Sequence, residues 1–257
     1  MTETALIGSS CLLGRQWASQ QYFDYLVDRN NLRLLTGRAF GMLVIIDPAL
    51  ETGPLAASQA PEKDTEAVAG LLHHLVDIKA DRAILVTTAD LLPEDGDESA
   101  ALADTQDDPF LASRRALYDC VNLRFGRVLN FFIPELAVPD PAFSMLGTLK
   151  TPPPEGNLPL PLLKRHQLYP AARLAGDIEK LLPLGVARAV AAMPPLTTSE
   201  LVETLVPGLT DRLSVAHKAD PQGSRRKSLL SFHWLDPRDG YWATKEALLA
   251  ELAPLLS

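Results

Sequence analysis

The chain has 257 residues, 47% hydrophobic and 22% charged, which suits a globular protein long enough to bury a full core. A net charge of −8 argues against a nucleic-acid partner, because neutralising phosphates needs a basic face; the dense basic run Arg225, Arg226, Lys227 reads as a solvated loop. No apolar stretch approaches the roughly 18–20 residues that cross a bilayer, so no membrane partner is expected.

In chain order, Ala5, Leu6 and Ile7 read as a first strand that ends at Gly8, Ser9 and Ser10, and a helix opens over 12–20. Tyr25, Leu26 and Val27 give a second strand ending at Asp28. Met42 to Ile46 is the clearest strand, a continuous apolar run closed by Asp47 and Pro48. A helix is expected over 62–78, with Val68, Leu71, Leu72, Leu75 and Val76 on one stripe. Ala83 to Val86 forms the next strand, ending at Thr87 and Thr88. An acidic loop spans 91–108, a helix covers 110–125, and Val128 to Ile133 is a strand stopped by Pro134. Uniformly apolar strands alternating with helices call for a parallel sheet covered on both faces, so the fold class is α/β: a Rossmann-type, doubly wound parallel sheet.

Beyond Pro134 the prolines at 139, 141, 152, 153, 154, 159 and 161 interrupt regular structure. Helices resume near 171–182, 198–205 (capped by Thr197 or Thr198 ahead of Glu200) and 242–252. The expected organisation is a dinucleotide-binding core over 1–134. A smaller, proline-rich substrate lobe over 135–257 lies on the carboxyl edge of the sheet, continuous with the core. Residues 1–4 form an acidic lead-in without the pattern of a leader. Cys11 and Cys120 have neither metal-ligand spacing nor a disulfide pattern, so a reducing, cytoplasmic setting is expected.

The segment Gly8, Ser9, Ser10, Cys11, Leu12, Leu13, Gly14 joins the first strand to its helix. A pyrophosphate needs a tight turn there, close backbone approach and a helix N-terminus with oriented N–H groups. Gly8 suits the turn and Gly14 the close packing of helix on strand; Cys11 stands where a middle glycine is usual. The alternative is an ordinary strand-to-helix turn that binds nothing. Asp28 sits where a carboxylate accepts from an adenosine ribose, whereas Arg29 favours a 2′-phosphate; both are equally compatible with solvated surface.

Over nearly its whole length the chain resembles the extended short-chain dehydrogenase/reductase superfamily, close to the NAD-dependent epimerase/dehydratase-like proteins. The likeness runs through ALIGSSCLLG, FGMLVIIDPA, DRAILVTTADLLP, DPFLASRRALYDCVNLRFG, VLNFFIPELA, HQLYPAARLAGDIEKLLPLG, PPLTTSELVE and GYWATKEALLAEL. It implies an NAD or NADP cofactor and a small-molecule substrate such as a nucleotide sugar. Catalysis would involve a tyrosine acid/base, a basic residue four positions later and a hydroxyl residue. Those roles fall on Phe110, Arg114 and Thr88, with Thr87 beside it. Phenylalanine has no proton to exchange, and the ~100- to 10,000-fold help of general acid/base catalysis is lost with the hydroxyl. Tyr118 and Asn122, two turns further along, are ~12 Å from Phe110 along the axis. Further departures from the family pattern are Ile46, Asp47 and Pro48 at a small-residue turn, Phe132 at an arginine and Val138 at a glycine. The resemblance also implies a homodimer through the helices at 62–78 and 110–125, and places Gln167 and Tyr169, with His166, near the substrate.

Two functions follow. One is an NAD(P)-dependent oxidoreductase or epimerase with altered catalytic residues, and the other a non-catalytic binding or scaffold protein on the same fold. Asp47, Glu135 and Asp140, near strand ends, are candidate replacement bases. His73 and His74 adjoin on one helix and cannot both face a metal; His217 and His233 lack ligand spacing, so no metal site is expected. Hydrolase elbows, lysine phosphate loops and zinc-helix motifs do not occur.

Overall fold

A computed structural model of the protein describes residues 2–52, 60–105, 107–140, 144–158, 160, 162–213, 226–228 and 239–257. Arg225, His217 and His233 lie outside the described residues. Strands β1 (Thr4–Ile7), β2 (Tyr25–Val27), β3 (Ala39–Phe40), β4 (Met42–Ile46), β5 (Lys79–Ala80), β6 (Ala83–Thr88) and β7 (Val128–Ile133) alternate with four helices. These are α1 (Leu12–Ala18), α2 (Pro48–Thr52), α3 (Pro61–Leu75) and α4 (Pro109–Arg124). Strands β1, β2, β4, β6 and β7, with β11 (Arg188–Val190), build a six-stranded parallel sheet in the order β11-β7-β6-β4-β1-β2, flanked by helices, while β3 and β5 pair with each other in a separate parallel pair. This is the doubly wound Rossmann-type fold expected from the strand pattern.

The apolar runs explain the placement. Every residue of β6 and four of the five in β4 are buried, as central strands covered on both faces require. Register pairs Ile7 with Ile45 and Ile46 with Val86, so Gly8 and Asp47, just past β1 and β4, and Thr87, near the end of β6, lie along one carboxyl edge. Helices α3 and α4 pack on each other, and α1 packs on α6 (Leu174–Leu181). Short helix α2, absent from the sequence reading, starts straight after Asp47, whose carboxylate accepts from the Ala49 N–H at 2.9 Å.

The chain divides into two compact units. The first comprises Met1–Leu91, Leu102–Phe132 and Ala171–Ala189; the second comprises Leu92–Ala101, Ile133–Pro170 and Val190–Ser257. The division thus differs from a single cut at residue 134. The amphipathic α6 joins the first unit because its Leu174, Ile178 and Leu181 are buried beside α1, and β11 adds to the sheet.

The second unit contains more regular structure than its prolines suggest. Strand β8 (Glu135–Ala137) pairs in parallel with β10 (Leu168–Pro170), and β9 (Arg165–His166) pairs antiparallel with β12 (Leu196–Thr197). Helices α5 (Met145–Lys150), α7 (Thr198–Leu205) and α8 (Lys245–Leu256) complete it. Thr197 caps α7 in a reciprocal capping box with Glu200. The last helix begins at Lys245, not at Trp242: Thr244 caps it by accepting from the Ala247 N–H, while Trp242 is buried upstream with its backbone N–H on Ala192.

Candidate functional site

The turn after β1 is tight and brings helix and strand close together. Gly8 has a φ of 90°, a conformation that favours glycine. A Cβ built on Gly14 would fall 2.1 Å from the Gly8 carbonyl oxygen, so helix and strand approach as closely as a bare glycine allows. The Gly8 and Ser9 N–H groups both donate to Val27 O. Cys11 is the N-cap of α1, and its buried thiol accepts from the Gly14 N–H at 3.2 Å. Arg15, exposed, folds back onto the Ser10 carbonyl. Among the described residues, the Leu12 and Leu13 N–H groups have no protein acceptor. The turn therefore keeps two oriented donors and a close backbone approach, while a thiol occupies the third donor.

Asp28 ends β2 half-buried. Its Oδ1 accepts from the Asn30 N–H at 2.8 Å, and its own N–H donates to Asn31 Oδ1 at 2.7 Å; Arg29 beside it is exposed. The loop is held by this exchange, and among the described residues the other carboxylate oxygen, Oδ2, accepts no hydrogen bond.

At the carboxyl ends of β4 and β6 lies a buried ion cluster. Arg114, fully buried, projects from α4. Its Nη1 donates to Asp64 Oδ1 at 2.8 Å, and its Nη2 and Nε lie 2.8 Å from Asp64 Oδ2 and 3.2 Å from Asp47 Oδ1 as ion contacts without hydrogen-bond alignment. Thr87 donates to Asp47 Oδ2 at 2.5 Å and Ser113 to Asp64 Oδ2 at 3.0 Å. One cation thus faces two carboxylates with almost no solvent contact. Burial pushes the Asp47 carboxyl above its ordinary value, against the opposing pull of Arg114 and the hydrogen bonds of Thr87 and Ala49. The Phe110 ring, one turn before Arg114, packs against Ala49 and lies 5.0 Å from the guanidinium carbon. Thr88, buried, donates to Asp90 Oδ2 at 2.6 Å in a local turn.

The structure thus brings Phe110, Arg114, Asp47 and Thr87 together. Sequence reading missed Asp64. A signal existed: Asp64 is in phase with Val68, Leu71 and Leu75 on the buried stripe of α3, an acid where the helical period calls for an apolar residue. Arg114 is its counterpart on α4, in phase with Phe110, Leu117 and Val121.

The remaining candidates are occupied elsewhere. Arg188 Nε donates to the Tyr118 hydroxyl at 3.0 Å, and Asn122 exchanges amide hydrogen bonds with Asn130. In the second unit, Gln167 is fully buried. Its Nε2 donates to Met193 O and Arg226 O, and its Oε1 accepts from the Arg226 N–H, so it braces backbone. Tyr169 is wholly buried on β10. His166 sits between Glu135 at 2.9 Å and Thr198 at 3.2 Å, both contacts through ring nitrogens. Asp140 is exposed, its carbonyl accepting from the Ser144 N–H. No group of metal-ligating side chains exists among the described residues, and no helix there is long and apolar enough to cross a membrane.

No family model matches the sequence, and no curated protein does. Solved structures do. The chain is similar to a UDP-N-acetylglucosamine 4-epimerase from Methanobrevibacter ruminantium in complex with UDP-N-acetylmuramic acid, with a TM-score of 0.71 and 11% identity over 99% of this chain and 97% of that one. A dTDP-glucose 4,6-dehydratase double mutant from Streptomyces venezuelae with NAD bound gives a TM-score of 0.69 and 16% identity over 98% and 96%. A dTDP-4-dehydrorhamnose reductase from Bacillus anthracis in complex with NADP gives 0.66 and 13% over 99% of both chains. At such identities the likeness speaks for the fold alone, the Rossmann-like α/β fold that this chain shares with those structures.

Proposed function

We propose that this protein holds a nicotinamide dinucleotide, NAD or NADP, at the Gly8–Gly14 turn, and is an oxidoreductase/epimerase-like protein that has lost the tyrosine-dependent proton transfer. The buried Arg114 guanidinium carries the second half of this reading. In the resemblance the basic residue holds the cofactor ribose and lowers the pKa of a tyrosine four residues earlier. Here Arg114 is bound by Asp47 and Asp64, and the earlier position is Phe110. Both halves of the dyad are missing together, which is what loss of the step predicts and what loss of a single hydroxyl does not.

The turn fits the cofactor. The Leu12 and Leu13 N–H groups would donate to the diphosphate, and Gly8 and Gly14 keep the backbone clear of side chains. Asp28 would accept from the adenosine ribose, with Arg29 as the contact for a 2′-phosphate. Bound nicotinamide supplies hydride exchange; in this chain Thr88 and Arg114 are held by their own carboxylates, and no free hydroxyl stands at position 110 to move a proton. A nucleotide sugar remains the small-molecule ligand class that the shared fold favours, and pairing of two copies through α3 and α4 is part of the same reading.

The test is titration of purified protein with NADH and NADPH, followed by nicotinamide fluorescence and thermal shift, alongside turnover assays with UDP- and dTDP-sugars. Saturable stabilisation by one cofactor without turnover is the expected result. No shift at millimolar cofactor overturns the binding half. The Phe110→Tyr variant is expected to stay inactive, because Arg114 remains bound; sugar-nucleotide turnover in that variant would show that only the acid/base had been lost.

A further inference from the structure

We infer that the amino-terminal edge of the sheet carries a second ligand site, for a small phosphate-bearing or similarly compact anion, formed by Arg82 and Arg127. A cavity of about 230 Å³ lies there, within the first unit, lined by Arg82, Gly126, Arg127, Leu181, Gly185 and Val186 among others. It is at the opposite end of the strands from Gly8, Asp47 and Thr87, since Arg82 immediately precedes β6 and Arg127 immediately precedes β7. The Ala83 N–H donates to Arg127 O at 2.9 Å, which sets the two arginines at the entrances of hydrogen-bonded neighbouring strands. Such strands run ~4.8 Å apart, so two like charges enter the sheet side by side.

Adjacent like charges are unfavourable in a sheet. In a chain with 32 acidic and 24 basic residues, a carboxylate partner would be easy to supply. Yet no Asp or Glu lines the cavity, and among the described residues neither guanidinium has a hydrogen bond or an ion pair. Several arginines of this unit are matched: Arg38 to Glu3 and Tyr25, Arg115 to Asp119, Arg173 to Asp177. Gly126 and Gly185 leave open space where a Cβ would stand, so the mouth is not narrowed by side chains. The walls supplied by Leu181, Leu182, Val128 and Val186 are apolar. Two fork-shaped donors over an apolar floor suit a doubly charged tetrahedral anion carrying a small organic group, as guanidinium pairs bind phosphate in parallel hydrogen bonds. The volume is below the ~300–1,000 Å³ of pockets for drug-sized ligands, which limits the ligand to a small one.

The site is tested with inorganic phosphate and with phenyl phosphate, each added to the full chain at constant ionic strength with chloride as reference. Binding is read by thermal shift and by isothermal titration on wild type and on Arg82→Gln/Arg127→Gln. Both substitutions are at the sheet's margin and keep the stem of the side chain; circular dichroism confirms the fold of the variant. The expected result is saturable binding of at least one probe to wild type, weakened tenfold or more in the double variant. Preference for phenyl phosphate identifies a phosphorylated small molecule as the source, and equal affinity identifies free phosphate. An undiminished response in the double variant assigns the binding to the Gly8–Gly14 turn and overturns the inference, as does the absence of a saturable response in wild type. NADH binding by the double variant is expected to be unchanged, which separates this site from the proposed cofactor turn.

Discussion

Replacing Arg114 by methionine isolates the energetics of the buried cluster. The substitution keeps most of the stem volume but leaves Asp47 and Asp64, whose side chains are 0% and 3% exposed, without their cation. Removing one partner of a buried ion pair costs about 3–5 kcal/mol, because the remaining charge has neither water nor counter-ion. At ~2–4 °C per kcal/mol for a chain of this size, Tm should fall by roughly 6–20 °C. Urea denaturation followed by circular dichroism gives the same quantity at fixed temperature as a shift in midpoint. The added changes Asp47→Asn and Asp64→Asn should recover most of the loss, since they remove the stranded charges while keeping side-chain shape. A loss below ~1 kcal/mol for Arg114→Met, the size of an exposed pair, would refute the reasoning and return Arg114 to the pool of residues free to meet a ligand.

Burial raises the Asp47 carboxyl, so the folded state holds that proton more tightly than the unfolded chain does. Its contribution to stability is fully present below the unfolded aspartate value of about pH 4 and is lost as pH rises through the higher folded value. Asp47→Asn should therefore gain on wild type as pH increases across that interval, and parallel Tm–pH curves for the two proteins would contradict it. Cys11→Gly frees the Gly14 N–H from the thiol; a charge-assisted hydrogen bond contributes ~1.5–3 kcal/mol, so the Kd for the better of NADH and NADPH should fall by roughly tenfold or more. A Kd unchanged or raised in fluorescence titration counts against a phosphate at that amide. Gly14→Val drives a side chain into the Gly8 carbonyl and should abolish the cofactor response while lowering stability by about 1–3 kcal/mol, read by thermal shift. Thr197→Ala removes the capping box of α7 at a cost of about 1 kcal/mol, and a midpoint unchanged in urea would show the cap to be dispensable.

By itself the sequence determined five of the six strands of the sheet; the short edge strand β11 (Arg188–Val190) was not legible in it. Runs such as Met42–Ile46 and Ala83–Thr88 are too uniformly apolar for anything but buried central strands. The first turn was legible in the same way, as Gly8 and Gly14 stand at the two points where a Cβ is not tolerated, and the capping residues Thr197 and Glu200 are a local signal read over four positions. Such features depend on neighbours in the chain. The pairs β8 with β10 and β9 with β12 were hidden because their strands are only two or three residues long and their partners lie about thirty residues away, too short for a period and too distant for a turn signal. The fate of Arg114 belongs to the tertiary structure alone. Its spacing from Phe110 suits a dyad on one helix face, but what a guanidinium binds depends on which carboxylates the fold brings within about 3 Å. Those carboxylates, Asp47 and Asp64, come from 67 and 50 residues away. A buried charge takes its partner from space, and chain order carries no record of that choice.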